Sequence, residues 1–348
     1  MPVLNPDALV TDRVQAIRTA HESTGITKAE VDLSGGIDSA VILGLVANAI
    51  GPENVIAVHS GINSNPDALR RAQLVADTFG VKLCYIDLTT IYEDLVRETM
   101  TAMANAGYDT TEAHKRMQAD KTVLGSIRST LRAPVGRGFN RIFGGGLRHG
   151  TGNECEDRWL RFYQKGGDGE VDSNPIAMLS KGEVYQLALA LGVPTDVINA
   201  RPSPDLWGEG DGHNDEDEIG DYLGFSAADY DQTFYSYIDT DTGAYTHVGL
   251  IERVSRFLDT GYAPVNVPGV TIEDRLFGDD FNRVSDRVRD LAYDFFPDLN
   301  LDLVNQLLTS ARRVERITRH KMNPNCPAYG DRKTLVDAGI LTNELPKL

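Results

Sequence analysis

Between residues 6 and 87 the spacing of apolar positions changes period several times, and each change marks an element. Leu9, Val10, Val14 and Ile17 recur at helical spacing over residues 6–24. Residues 30–33 form a short β-prone run. A turn of Ser34, Gly35 and Gly36 then leads into an apolar, helix-patterned run over 37–50, which Gly51-Pro52 ends. A second buried strand is predicted over 55–58, an amphipathic helix over 68–79 closed by Gly80, and a third strand over 81–87. Strands alternating with helices of this length imply right-handed βαβ units, hence an α/β fold with a doubly wound, mostly parallel sheet.

Further along the pattern loosens. Residues 91–117 read as a helix interrupted near Gly107, and 122–132 are compatible with another. From 133 to 150 the chain turns Gly- and Arg-rich, which predicts a loop or broken strand, either a mobile surface loop or an active-site lid. A helix-patterned segment carries Trp159, Leu160 and Phe162. The helix over 180–191 has Ser180 as cap and Glu183 as capping-box partner. The acidic run 211–221 reads on composition as a solvated loop. Beyond Phe225 the chain is polar and aromatic, with turn signals at 239–243 and 266–269. An amphipathic helix over 301–320 and a Pro-rich stretch over 321–329 follow. Three parts are therefore expected: a main domain over 1–224, an insert over 225–299, and a C-terminal helix and closing tail over 300–348.

Composition narrows the function classes. A formal charge of −17 argues against a nucleic-acid-binding surface, while leaving room for a local basic pocket. The three cysteines, Cys84, Cys155 and Cys326, form no C-x-x-C pair, which fits a reducing cytosol and offers neither a disulfide framework nor a zinc site. No charged-then-apolar leader pattern and no apolar run near ~18 residues is found, so a cytoplasmic protein without a membrane partner is expected.

The chemistry concentrates at residues 31–40, V-D-L-S-G-G-I-D-S-A. Strand, Gly-rich turn and helix start bring free backbone N–H groups and the positive end of a helix dipole to one point, where phosphate oxygens can sit. Asp38 in the first turn would repel phosphate, unless a divalent cation lies between them. Ser34 and Asp38 at a helix start are, on their own, equally consistent with simple capping. The stretch is neither G-x-x-x-x-G-K-[ST] nor G-x-G-x-x-G.

Seven motifs in order carry a resemblance. They are S-G-G-I-D-S at Ser34, G-T-G-N-E-C-E at Gly150, K-G-G-D-G-E-V-D at Lys165, N-P-I-A-M-L-S-K at Asn174, P-S-P-D-L at Pro202, N-D-E-D-E-I-G at Asn214 and H-K-x-x-P at His320. Together they resemble the ammonia-dependent NAD synthetase family, of the ATP pyrophosphatase superfamily. The resemblance implies a Rossmann-like sheet of the adenine nucleotide α-hydrolase type over 1–224. It implies an AMP-forming carbon–nitrogen ligase that converts nicotinic acid adenine dinucleotide, ATP and ammonia to NAD through an acyl-adenylate. Ser34, Gly35, Gly36, Asp38, Ser39, Thr151, Lys181 and Ser203 then correspond to ATP contacts, and Asp38 and Glu156 to Mg2+ ligands. Lys165, Asp172, His320 and Lys321 correspond to acid-substrate contacts. Asp38, Lys181 and Asp172 are the implied catalytic set, and a homodimer with sites near its interface is the implied assembly.

Departures from the family pattern fall on the acid-binding half. The expected substrate-gripping arginine falls on Thr130, with Arg128 and Arg132 beside it as substitutes; the usual L-P-Y is replaced by His59-Ser60-Gly61; and the tail reads H-K-M-N-P. A dinucleotide acid favours arginine forks, so a different carboxylic acid is the alternative substrate. The cysteines lack a nucleophile context, so ammonia is expected as the nitrogen source, and a separate glutaminase is not indicated. A sulfur-transferring tRNA modifier and a non-catalytic nucleotide sensor are the rival readings. The first lacks a basic face, and the second has no need of Asp38, Glu156 and Lys181 together.

Overall fold

Aliphatic runs between turn signals become strands at the centre of the molecule. The computed structural model describes residues 5–203, 214–259, 295–321 and 331–345. Among them β1 (Ala29–Asp32), β2 (Val55–Gly61), β3 (Lys82–Asp87) and β4 (Leu147–His149) form one sheet in the order β3-β2-β1-β4, parallel throughout. Val31 stands opposite Ala57 on one side and His149 on the other. The chain leaves β1 toward β2 and returns later to β4, so a crevice opens beyond the carboxyl ends of β1 and β4. That is where α/β sheets bind ligands.

Alternation along β1 divides the two faces. Ala29 and Val31 enter an aliphatic core with α1 (Pro6–Thr24), α2 (Ile37–Ile50) and α3 (Pro66–Phe79). Glu30 and Asp32 face the other way, where Arg148 of β4 pairs with both. On that face lie α4 (Thr89–Asn105), then α5 (Thr110–Ala119) and α6 (Lys121–Phe143), with Tyr92, Ile127, Leu131 and Val135 gathered around Ile62 and Leu88.

The loop or broken strand expected over 133–150 is corrected over 133–143, while 147–149 is a short strand. Helix α6 continues through Pro134, Gly136 and Gly138 as far as Phe143, and β4 follows after Gly144–146. Tertiary contacts outweigh the poor local propensity. A Cβ at Gly136 would stand 2.8 Å from Arg148 Nη1, so glycine admits the guanidinium, which donates to the Ala133 carbonyl at 2.7 Å. The Asn140 side chain closes the far end, exchanging two hydrogen bonds with the Gly146 backbone.

A second core lies beside the first. It gathers Cys155, Trp159 and Leu160, which follow or belong to α7 (Glu154–Asp157), and packs them against later parts of the chain. The first core also takes in α8 (Lys181–Leu191), whose Ser180–Glu183 capping box forms as predicted, and the short α9 (Thr195–Ile198). Next come α10 (Asp215–Leu223), the β-pair β5 (Tyr237–Ile238) and β6 (Tyr245–His247), α11 (Leu250–Asp259), α12 (Leu301–Thr318) and α13 (Arg332–Asp337). The acidic run is not a loop over 215–221. Asn214 caps it, and Asp215, Glu216, Asp217 and Glu218 fill a first turn whose dipole favours negative charge. The turn expected at 266–269, the Pro-rich 322–329 and Cys326 lie outside the described residues. Among those described, no helix is long and apolar enough to cross a membrane.

Candidate active site

Residues 33–36 leave β1 and enter α2 through a turn that only glycine fits. Gly35 has φ +87°, and a Cβ there would come 2.2 Å from the Ala68 carbonyl oxygen. The Ser39 hydroxyl folds back into the turn, accepting from the Ser34 N–H at 3.2 Å and meeting the Ser34 hydroxyl at 3.0 Å. Arg71 donates to the Gly35 carbonyl at 3.0 Å, bracing the loop from α3. The N-cap, Gly36, has no side chain to satisfy the first N–H groups of α2, so they remain available to an anion.

Three chain segments meet at this turn. Lys181, the first residue of α8, donates from Nζ to Asp38 Oδ2 at 2.5 Å and to Glu156 Oε1 at 3.1 Å. Asn153 ties the same groups together: its Oδ1 caps α7 by accepting from the Cys155 and Glu156 N–H groups, and its Nδ2 donates to Asp38 Oδ1 at 3.1 Å. Cys155, fully buried, accepts the Lys181 N–H on Sγ at 3.4 Å. Tyr235 completes the group, its hydroxyl donating to Glu156 Oε1 at 3.1 Å.

Carboxylates outnumber cations here. Burial on its own would push the Lys181 ammonium down; Asp38 and Glu156 beside it outweigh that and hold it well above its ordinary value. Burial pushes Asp157 and Asp215 well up, with Glu156 and Asp38 adding to both. One lysine therefore pairs with two carboxylates, Asp38 and Glu156, while burial favours the neutral form of Asp157 and Asp215. Asp38 and Glu156 each turn one oxygen to the Lys181 ammonium, and two carboxylates held this close beside a phosphate-sized turn are a donor set that suits a hard divalent cation completed by phosphate and water oxygens.

A cleft of about 700 Å3 adjoins the cluster, lined among others by Thr151, Glu156, Asp157, Arg158 and Asp168. The structure thus brings Ser34, Gly35, Gly36, Asp38, Ser39, Thr151, Glu156 and Lys181 into one neighbourhood. Other candidates are held by contacts of their own. Asp172 is gripped by Arg137 through two bonds of 2.8 and 3.1 Å and accepts the Arg148 N–H at 2.8 Å; burial alone would raise its carboxyl, and these donors hold it below the usual range. The Arg128 guanidinium lies over the Tyr92 ring, and Arg132 donates to the Ser60 carbonyl at 3.1 Å. Lys165, Ser203 and His320 are exposed. Lys321 donates to the Arg161 and Tyr163 carbonyls at 3.1 and 2.8 Å, fastening the end of α12 to that loop.

Sequence reasoning missed Asn153, Asp157, Arg137 and Tyr235. Asn153 was within reach, being a capping residue inside a quoted motif. The pairing of Arg137 with Asp172 and of Tyr235 with Glu156 joins distant segments and leaves no local signal.

Residues 9–242 match the sequence model of NAD synthase. The chain belongs to the NAD synthase family. The NH(3)-dependent NAD(+) synthetase of Methanococcoides burtonii is 35% identical over 208 residues, 60% of this chain and 72% of that one. That of Trichlorobacter lovleyi is 35% identical over 216 residues, 62% and 70% of the two chains. Among solved structures, NMN synthetase from Francisella tularensis superposes with a TM-score of 0.58 at 18% identity, covering 92% of this chain and 99% of that one, a likeness of fold. As a NAD synthase family member the protein is a ligase that uses ATP as a substrate.

Proposed function

We propose that the chain amidates the carboxylate of a nicotinate nucleotide in two steps. A carboxylate oxygen attacks the α-phosphorus of ATP, the bond from that phosphorus to the bridging oxygen breaks, and pyrophosphate leaves. Ammonia nitrogen then attacks the acyl carbon of the adenylate. The carbon–oxygen bond to AMP breaks, and the nitrogen sheds its surplus proton to solvent. The observation that carries this reading is the meeting of Asp38, Glu156 and Lys181 at the mouth of the Ser34–Ser39 turn.

Each residue then has a task. The N–H groups at the start of α2 receive the departing pyrophosphate, whose developing charge they meet without reorganising. Lys181, kept charged by its neighbours, places a fixed positive charge beside the same oxygens. Asp38 and Glu156 hold Mg2+, which supplies charge neutralisation at the phosphates. Thr151 offers its hydroxyl to ATP, and the cleft it lines receives the acid for attack.

The acid is nicotinic acid adenine dinucleotide in the first reading. A second reading, a smaller nicotinate mononucleotide, is favoured by the engagement of Arg128, Arg132 and Arg137 within the protein, which leaves fewer forks for a second phosphate. The test is AMP and pyrophosphate release with ATP, Mg2+ and ammonium, supplying each acid in turn. Acid-dependent AMP is expected, and its absence with both acids overturns the reading. Light scattering checks the expected homodimer.

A further inference from the structure

Glu156 Oε1 receives two donors, Lys181 Nζ and the Tyr235 hydroxyl, each at 3.1 Å. Tyr235 is fully buried, and Lys181 Nζ stands 4.9 Å from the centre of its ring. Packing alone does not call for a phenol here, because phenylalanine fills the same space with no polar atom to satisfy. The backbone beneath this side chain is also held with care. The Glu216 carboxylate accepts from the Phe234 N–H at 2.7 Å, the Tyr235 N–H at 2.8 Å and the Tyr237 hydroxyl at 3.1 Å. Glu216 itself is fixed in the first turn of α10, where the Asn214 side chain accepts its N–H at 2.9 Å. A chain of directional bonds therefore runs from the acidic run, through residues 234–237, to one oxygen of Glu156.

We propose that Tyr235 is a positioning residue for the divalent cation that accompanies ATP, acting through Glu156. A carboxylate free to turn about its last bond presents its oxygens over a range of directions. Two donors on Oε1 fix the plane of the group, and with it the direction in which Glu156 offers its lone pairs. Partners of this kind behind a metal ligand typically govern metal affinity by about 10–100-fold. The segment from Asn214 to Tyr237, to which the sequence motifs assign no catalytic task, thereby becomes part of the active site. This inference rests on Glu156 being a metal ligand, as in the proposed function.

The test uses the full chain with Mn2+ as probe, titrated by electron paramagnetic resonance with a non-cleavable ATP analogue and no acid present. Tyr235→Phe is expected to weaken Mn2+ binding about tenfold or more. The Mg2+ concentration giving half-maximal AMP release should rise by a similar factor, while the thermal midpoint moves little. Glu216→Gln, which slackens the backbone beneath the phenol, is expected to shift Mn2+ binding in the same direction by less. Glu156→Gln should bind Mn2+ poorly. If Tyr235→Phe and Glu216→Gln both bind Mn2+ as the parent does while Glu156→Gln does not, the role of Tyr235 is overturned and the metal reading stands. If Glu156→Gln also binds normally, the metal reading falls and takes this inference with it.

Discussion

The two cores of this molecule are held by different means. The core around the sheet is largely aliphatic, with Val31, Val41, Leu45, Val46, Ala57 and Val75 buried against one another and one buried ion pair, Glu183 with Arg332, joining α8 to α13. The second is aromatic, with Trp159, Phe234, Phe257 and Phe296, and is threaded by buried ion pairs, Glu154 with Arg256 and Arg161 with Glu315. Asp38 and Lys181 come from helices of the first core, and Glu156 from the second. Aliphatic packing tolerates exchange of volume for volume, whereas a buried ion pair tolerates little. The half of the site that meets ATP phosphate is thus built on a forgiving support, and the half that presents Glu156 on an exacting one.

The sharpest way to break this comparison is at its seam. Asp38→Ala should lower acid-dependent AMP release by about 10^3-fold, about 4 kcal/mol, with a melting curve that falls less than for Glu154→Ala, because Glu156 still pairs with the buried Lys181. A parallel loss of folding would show Asp38 to be structural instead. Next in size is Glu154→Ala, which leaves Arg256 buried without that partner. It should cost about 3 kcal/mol in urea denaturation, and a cost near zero would contradict the contrast between the cores.

On the far face of the sheet, burial pushes Glu30 up to about 8, with Asp32 beside it adding and Arg148 opposing. The folded protein keeps this proton to about pH 8, whereas the unfolded chain loses it above its ordinary value of 4.5. Over that window folding takes up a proton, so stability falls as pH rises. Glu30→Gln should flatten the slope, recovering on the order of 2 kcal/mol at pH 8, as read from denaturation midpoints across pH. The smallest effect is expected for Arg137→Ala, about 1 kcal/mol or less, because its pair with Asp172 is partly exposed. Comparing it with Asp172→Asn in the AMP assay sharpens the role of Asp172: a larger loss for Asp172→Asn marks a task beyond holding Arg137.

The same division explains what could be read in the sequence. Period changes through residues 29–87 translate directly into strand and helix, because aliphatic burial depends only on local spacing. The turn at Ser34, the carboxylate Asp38 and the cap at Ser180 were legible for the same local reason, whereas Glu156 came only through the family resemblance. The second half of helix α6 was not legible, because Gly136 makes room for Arg148, which lies beyond the helix's own end. The acidic run misled because composition describes charge and is blind to Asn214, the cap that turns four acids into a helix start. Tyr235 left no trace at all, since its value lies in a partner 79 residues away.

Cys155 gives this architecture a chemical reporter. Its sulfur is sealed between the two cores, and burial pushes the thiol well above its ordinary value, so an alkylating reagent meets neither an exposed atom nor a thiolate. Alkylation at Cys155 must wait for α7 and α8 to part. Its rate, set against that of partly exposed Cys84, therefore measures how often the site opens. Substrates that bridge Asp38 and Glu156 should slow that clock without touching the sulfur.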